Sequence, residues 1–229
     1  LRYVDKILST TNKDYMKHLV KYKKILKIRN SCLIQKTTFD EIEVWDTQIE
    51  PLALKLWKHR EVFFREFKHL FNDTWSRVVQ SEKVSLKYSP IKEEEQNNFL
   101  NLLKKHFHKD RERGATSLGI HKDKIGFYFS GLDVKDQASQ GEKKIFLAAL
   151  KVAETKYTHL KTNKKPVLLL DDLFARLDRS RGKSLLELID KNYQTFITTT
   201  DSAVESYFND FKKINFIELD GGGVNCFVA

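Results

Sequence analysis

A strand that ends in two adjacent carboxylates constrains this chain more than any other feature. Residues 167–170 read Val-Leu-Leu-Leu, and Asp171 and Asp172 follow at once. An apolar run without alternation is the pattern of a strand buried on both faces, as in a parallel sheet. Open α/β sheets bind ligands beyond the carboxyl ends of such strands. Two carboxylates placed there can hold a divalent cation on a phosphate chain and polarise an attacking water. Asp171 would then be the metal ligand, directly or through water, and Asp172 the general base. A surface turn in which the pair only caps the next helix would use the same residues.

The flanking sequence extends the pattern. Residues 179–191 read as a helix with Leu185, Leu186 and Ile189 on its buried side, and residues 195–199 read as a second strand. Strand, helix and strand make a right-handed crossover unit. Asp178 stands just before the helix as a candidate N-cap. Upstream, Ser139-Gln140-Gly141-Glu142-Lys143-Lys144 opens another helix. Ser139 with Glu142 three positions on fits a capping box. Ile145, Phe146, Ala149, Leu150 and Ala153 then recur at three- and four-residue spacing. Backbone amides at such a helix start can accept an anion, and Lys143 and Lys144 add positive charge. A capping box by itself needs no ligand.

Together these two stretches resemble a known family. Ala138-Ser139-Gln140-Gly141-Glu142-Lys143-Lys144 is similar to the signature motif of ABC-type ATPases in their SMC-like DNA-repair branch. Leu168-Leu169-Leu170-Asp171-Asp172 resembles the Walker B strand, and Ala175-Arg176-Leu177-Asp178 the D-loop. Arg29-Asn30, Val44-Trp45-Asp46-Thr47-Gln48, Asp110-Arg111 and Gly119-Ile120-His121-Lys122-Asp123 point within that branch to the RecF family. The resemblance implies ATP and Mg²⁺ as cofactors and an ATP-dependent homodimer that sandwiches nucleotide between two chains. Ser139, Gln140, Gly141 and Glu142 would contact nucleotide in trans, Asp171 and Asp172 would act in cis, and Asp178 would cross the dimer interface. Thr200 or Asp201 would hold the switch position, where many ABC-type ATPases have His. The family implies binding of double-stranded DNA near single-strand gaps, recombination mediator proteins as partners, a link to the SOS response and a cytoplasmic, nucleoid-associated location.

Composition sets the outer limits. A length of 229 residues allows one or two domains, and a net charge of +10 favours an anionic partner such as nucleic acid. Solvated lysines also produce such a charge. Cys32 and Cys226 are the two cysteines, without metal-ligand spacing, which suits a reducing cytosol. No run of 18 apolar residues marks a membrane span, and there is no signal-peptide pattern. No G-x-x-x-x-G-K followed by Ser or Thr occurs, so no loop in the sequence cradles the α- and β-phosphates. The expectation is a C-terminal portion of a longer protein, catalytically incomplete alone.

The remaining stretches read mostly as scaffold. Residues 13–29 form an expected helix with Tyr15, Leu19, Tyr22 and Leu26 on one face and Lys13, Lys17, Lys21 and Lys24 on another. The lysine stripe can follow a DNA backbone or be an ordinary solvated face. Residues 39–46 read as a junction. A long helical stretch follows to about residue 79, with Trp45, Ile49, Leu52, Leu56, Phe63, Phe67 and Leu70 in register, Trp57 and Phe64 off that line, and Pro51 kinking it or opening a new helix. Residues 84–88 alternate as a strand, and residues 93–108 read as one helix. Residues 111–123 form a basic, glycine-punctuated loop in which Arg111, Arg113, His121 and Lys122 can approach phosphate. Residues 125–134 read as a β-hairpin, and residues 214–219 as the last strand.

The resulting fold class is an α/β ABC-type or SMC-like ATPase head portion with an inserted helical lobe, short and coiled-coil-like. The division is a helical lobe over 1–110, with a short strand near 84–88, and an α/β ATPase portion over 111–229. Two other functions use the same features: a different SMC-like ATPase in defence or chromosome organisation, and a non-enzymatic basic DNA-binding scaffold.

Overall fold

Asn12 ends one helix and starts the next. Its side chain accepts a hydrogen bond from the Tyr15 amide at 2.9 Å, an N-cap that separates α1 (Arg2–Thr11) from α2 (Lys13–Ile34). A turn at residues 35–38, with Lys36 in the left-handed region (φ 55°), leads into α3 (Phe39–Val78). Thr38 and Glu41 close a capping box there. The structure, a computed structural model, describes residues 1–79, 84–172, 179–189, 193–200, 208, 214–220 and 223–228.

The expected junction at 39–46 is therefore already helix, and α3 runs unbroken through Pro51. Proline removes one backbone hydrogen bond. Burial of Ile49 and Leu52 on either side holds the helix through that gap. α2 packs along α3, so the hairpin of the helical lobe is made by these two helices and not within the 45–79 stretch, which is one helix. The aromatic stripe is core. Phe63 stacks on Phe67 at 4.9 Å, Phe71 meets Phe146 edge-on at 5.2 Å, and Phe63 meets Tyr157 at 5.0 Å. Trp57 and Phe64, off the main line, pack on Phe99 and Tyr88. These contacts join side chains from both sides of residue 110 in one core.

The chain then forms β1 (Val84–Ser89), followed by α4 (Glu93–Asn97), α5 (Phe99–Lys105) and α6 (Phe107–Arg113). The single helix expected over 93–108 is thus broken twice. At the first break Asn98 leaves helical geometry and accepts a hydrogen bond from the Asn101 side chain. Asparagine competes with the helix backbone in this way. A short 3₁₀ turn (Ile120–Lys122) precedes β2 (Lys124–Phe129) and β3 (Leu132–Asp133). β1, β2 and β3 form an antiparallel sheet, with Val84 opposite Phe129 and Tyr128 opposite Asp133. The β2–β3 turn places Ser130 (φ 48°) and Gly131 (φ 87°) in the left-handed region, as a two-residue hairpin turn requires.

α7 (Val134–Gln137) delivers the chain to α8 (Gln140–Thr162), which packs against α3. β4 (Leu168–Leu170), α9 (Arg179–Glu187) and β5 (Thr195–Ile197) follow, and β4 pairs with β5 in parallel, Leu169 opposite Phe196. Leu168 and Leu170 enter the core with Leu185 and Leu186. The other face is open: Leu169 is 67 % exposed and Phe196 49 %. The expectation of burial on both faces fails because, among the described residues, nothing covers that side of the sheet. β6 (Asn215–Asp220) is not the last strand, since β7 (Gly223–Val228) pairs with it antiparallel. Among the described residues, no helix is long and apolar enough to cross a membrane.

Candidate functional site

Ser139 is the N-cap of α8. Its hydroxyl accepts from the Glu142 amide at 3.3 Å, and the Glu142 carboxylate accepts from the Ser139 amide at 2.7 Å. These bonds to Ser139 hold the Glu142 carboxyl below the usual carboxylate range. Ser139 and Gln140 are exposed, and Gly141 is partly so. The first turn of a helix offers amides without intrahelical acceptors, so this end can receive an anion.

Leu170 leads straight into the two carboxylates. The Thr198 amide donates to the Leu170 carbonyl at 3.0 Å, continuing the parallel ladder. Its hydroxyl then serves both aspartates. It donates to Asp171 Oδ1 at 2.5 Å and accepts from the Asp172 amide at 2.9 Å. Asp172 is left-handed (φ 48°), a conformation strained for a side-chain-bearing residue. Lys144 Nζ, from the second turn of α8, donates to Asp172 Oδ2 at 2.7 Å and to its carbonyl at 3.2 Å. The structure thus brings the capped helix start and the carboxylate strand to one edge of the chain. Thr198 was not singled out from sequence, and Lys144 was read only as added positive charge. Thr200 is exposed, and Asp178 and Asp201 lie outside the described residues.

The basic candidates do not converge. Lys13, Lys17, Lys21 and Lys24 line the exposed face of α2, opposite buried Tyr15, Leu19 and Tyr22. The Arg111 guanidinium donates to the Lys36 carbonyl at 2.7 Å and lies over the Phe107 ring. Lys122 is exposed. His121 is held inside, with Nδ1 2.9 Å from the Tyr22 hydroxyl and Nε2 3.1 Å from the Thr116 carbonyl.

Burial pushes His121 below its ordinary value, so it sits neutral in the fold. The unfolded chain then binds that proton more readily. Stability from His121 is present above the ordinary pKa of about 6.5 and lost as pH falls below it. Urea midpoints at pH 7.5 and 5.5 should show a larger acid loss for the native chain than for His121→Gln.

Two buried arginines organise the remaining family-like stretches. Arg29 Nε donates to Asp46 at 2.5 Å, and its Nη1 donates to Asp110 at 3.0 Å and Thr116 at 2.9 Å. Asn30 accepts from the Thr116 amide and hydroxyl. Arg60 grips Asp123 at 2.6 Å, Asp5 at 2.8 Å and the Ile120 carbonyl at 2.7 Å. Trp57 and Tyr88 also donate to Asp123. Sequence reading assigned Arg29 and Asn30 no role and passed over Arg60.

No family model matches the chain. Curated relatives do. It is 30 % identical to the DNA replication and repair protein RecF of Bacteroides thetaiotaomicron over 98 % of this chain, and 33 % identical to that of Lachnoclostridium phytofermentans over 96 %. Two solved structures of the recombination mediator protein RecF, RecF-ATP and RecF-ATPrS of the RecFOR pathway, superpose with TM-scores of 0.79 and 0.77. Each is 26 % identical and covers 98 % or more of this chain. The chain belongs to the RecF family. It spans about three fifths of the relatives it matches, 62 % of the first of them. Its fold is that of the RecF structures, an ABC-type, SMC-like ATPase head.

The residues present fit a RecF-type nucleotide site in part. Asp171 offers a hard carboxylate oxygen at the strand end, which suits Mg²⁺. Among the described residues no three His, Cys, Asp or Glu side chains cluster to cage a metal. Mg²⁺ would therefore rest on one carboxylate, water and phosphate oxygens, the usual arrangement at nucleoside triphosphates.

Proposed function

We propose that this chain carries the signature and carboxylate half of an ATP-driven DNA-repair switch of the RecF type, acting in recombinational repair and replication restart. One observation supports it above the rest. A capped, anion-accepting helix start and a strand ending in two carboxylates meet at one edge, joined by the 2.7 Å Lys144–Asp172 ion pair. The relatives are named for DNA replication and repair, and solved RecF structures are those of RecF-ATP and RecF-ATPrS.

In this reading the protein is an ATPase. Asp171 would hold Mg²⁺, which would supply neutralisation of the charge developing on the phosphates. Asp172 is the general base. Water attacks the γ-phosphorus in line, the bond to the ADP oxygen breaks, and the water proton passes to the Asp172 carboxylate. Ser139, Gln140, Gly141 and Glu142 meet the nucleotide of the opposite subunit of an ATP-dependent homodimer. Asp178 crosses that interface, and Thr200 or Asp201 takes the switch position.

Double-stranded DNA near single-strand gaps is the proposed polymer ligand, and recombination mediator proteins are the proposed partners. A net charge of +10 and the exposed stripe of Lys13, Lys17, Lys21 and Lys24 support the DNA assignment, with Lys122 and Arg111 as weaker candidates. The location is cytoplasmic, on the nucleoid.

Light scattering tests the reading. The protein expressed from its complete reading frame should double in mass with Mg-ATP, and Ser139→Arg, which crowds the trans contact, should stay monomeric. A native protein indifferent to ATP would sink the sandwich and leave a basic DNA-binding scaffold.

A further inference from the structure

We propose that Lys144 is the positioning residue for Asp172, and that through it the nucleotide-facing end of α8 is coupled to the carboxylate strand of the same chain. The proposal rests on the ATPase reading above and assigns one more residue to that site.

Asp172 needs external support. It is held at φ 48°, a region that residues other than glycine rarely adopt. Thr198 fixes the Asp172 amide. Lys144 holds the other end, gripping both the carbonyl and Oδ2 of Asp172. Thr198 gives its proton to Asp171, so the Asp172 carboxylate is oriented from α8 and not from β5.

The position of Lys144 on its helix gives this contact its meaning. Ser139 caps α8, and Lys144 stands five residues on, about 7.5 Å along the axis at helical rise. The capping box ties Ser139 to Glu142 in the first turn of α8. An anion received at Ser139–Gly141 is thus one helical turn from the side chain that grips the Asp172 carboxylate. In a two-chain sandwich, Ser139 touches the nucleotide held by the partner while Asp172 serves the nucleotide held by its own chain. Lys144 then links the two sites.

Stability does not explain the pair. The Lys144 and Asp172 side chains are 30 % and 48 % exposed, and exposed ion pairs contribute little. What the ammonium does supply is orientation, through its bonds to the Asp172 carbonyl and Oδ2. Its removal should be felt in rate, not in folding.

The experiment uses the protein from its complete reading frame. Lys144→Met should keep the native melting temperature and ATP-driven dimerisation. It should lose roughly 10- to 100-fold in kcat, the scale of a misplaced catalytic group, with little change in KM. Lys144→Arg should restore most of the rate.

A Lys144→Met protein with native rate overturns the proposal while leaving the ATPase reading intact. So does one whose rate falls without rescue by arginine. A native protein that neither dimerises nor hydrolyses with Mg-ATP overturns the ATPase reading itself, and this proposal with it.

Discussion

Asp172→Asn is expected to lower ATP turnover roughly 10²- to 10⁴-fold, the range a positioned general base contributes. The substitution keeps the side chain's shape and one acceptor oxygen, so Lys144 and the backbone bond to Thr198 retain partners. It removes the ability to take a proton from water. Mg-ATP should still drive dimerisation, because Ser139 and Asp171 are untouched. The dimer should then persist, since its nucleotide is no longer consumed. Single-turnover hydrolysis beside light scattering separates these effects. A variant that hydrolyses at the native rate would remove Asp172 from the chemistry and leave the strained turn without a catalytic purpose.

Arg29→Met should destabilise the fold by about 3–5 kcal/mol, the scale of removing one partner from a buried ion pair. Arg29 and Asp110 are fully buried and Asp46 nearly so. Loss of the guanidinium leaves the buried Asp46 and Asp110 carboxylates without their cation. For a chain of this length the melting temperature should fall by about 10 °C. Burial already pushes the Asp46 carboxyl up, against the pull of Arg29. Without Arg29, burial and the neighbouring Asp110 and Glu43 charges act unopposed, and the folded value rises further above the unfolded one. A group shifted that way contributes stability at low pH that is lost as pH rises. The deficit of the variant should therefore be smaller at pH 5 than at pH 8. Thermal melts at both values check the magnitude and the sign. A variant as stable as the native chain would show that the buried charges are dispensable.

By itself the sequence determined what depends on near neighbours. The Ser139–Glu142 capping box, the Thr-Phe-Ile strand after a crossover helix and the hairpin at Ser130-Gly131 are local choices, set by residues within about four positions. The apolar face of α3 and the lysine stripe of α2 follow from helical periodicity. The two carboxylates were visible because an apolar run stops at them. Tertiary structure decided what depends on chain segments far apart. Lys144 reaches Asp172 across 28 positions, Thr198 reaches Asp171 across 27, and Arg29 reaches Asp110 across 81. No periodicity encodes such pairs; the packing of α8 on β4 and of α2 on α3 and α6 creates them. The open face of β4 was likewise invisible, since an apolar run reads the same whether or not a neighbour covers it. Of the outcomes left open at Pro51 the packing selects a continuous helix, and the breaks near Asn98 and His106 went against local expectation for the same reason. Burial of the flanking side chains outweighs the roughly 3 kcal/mol of a helical proline and the smaller propensity differences along residues 93–113.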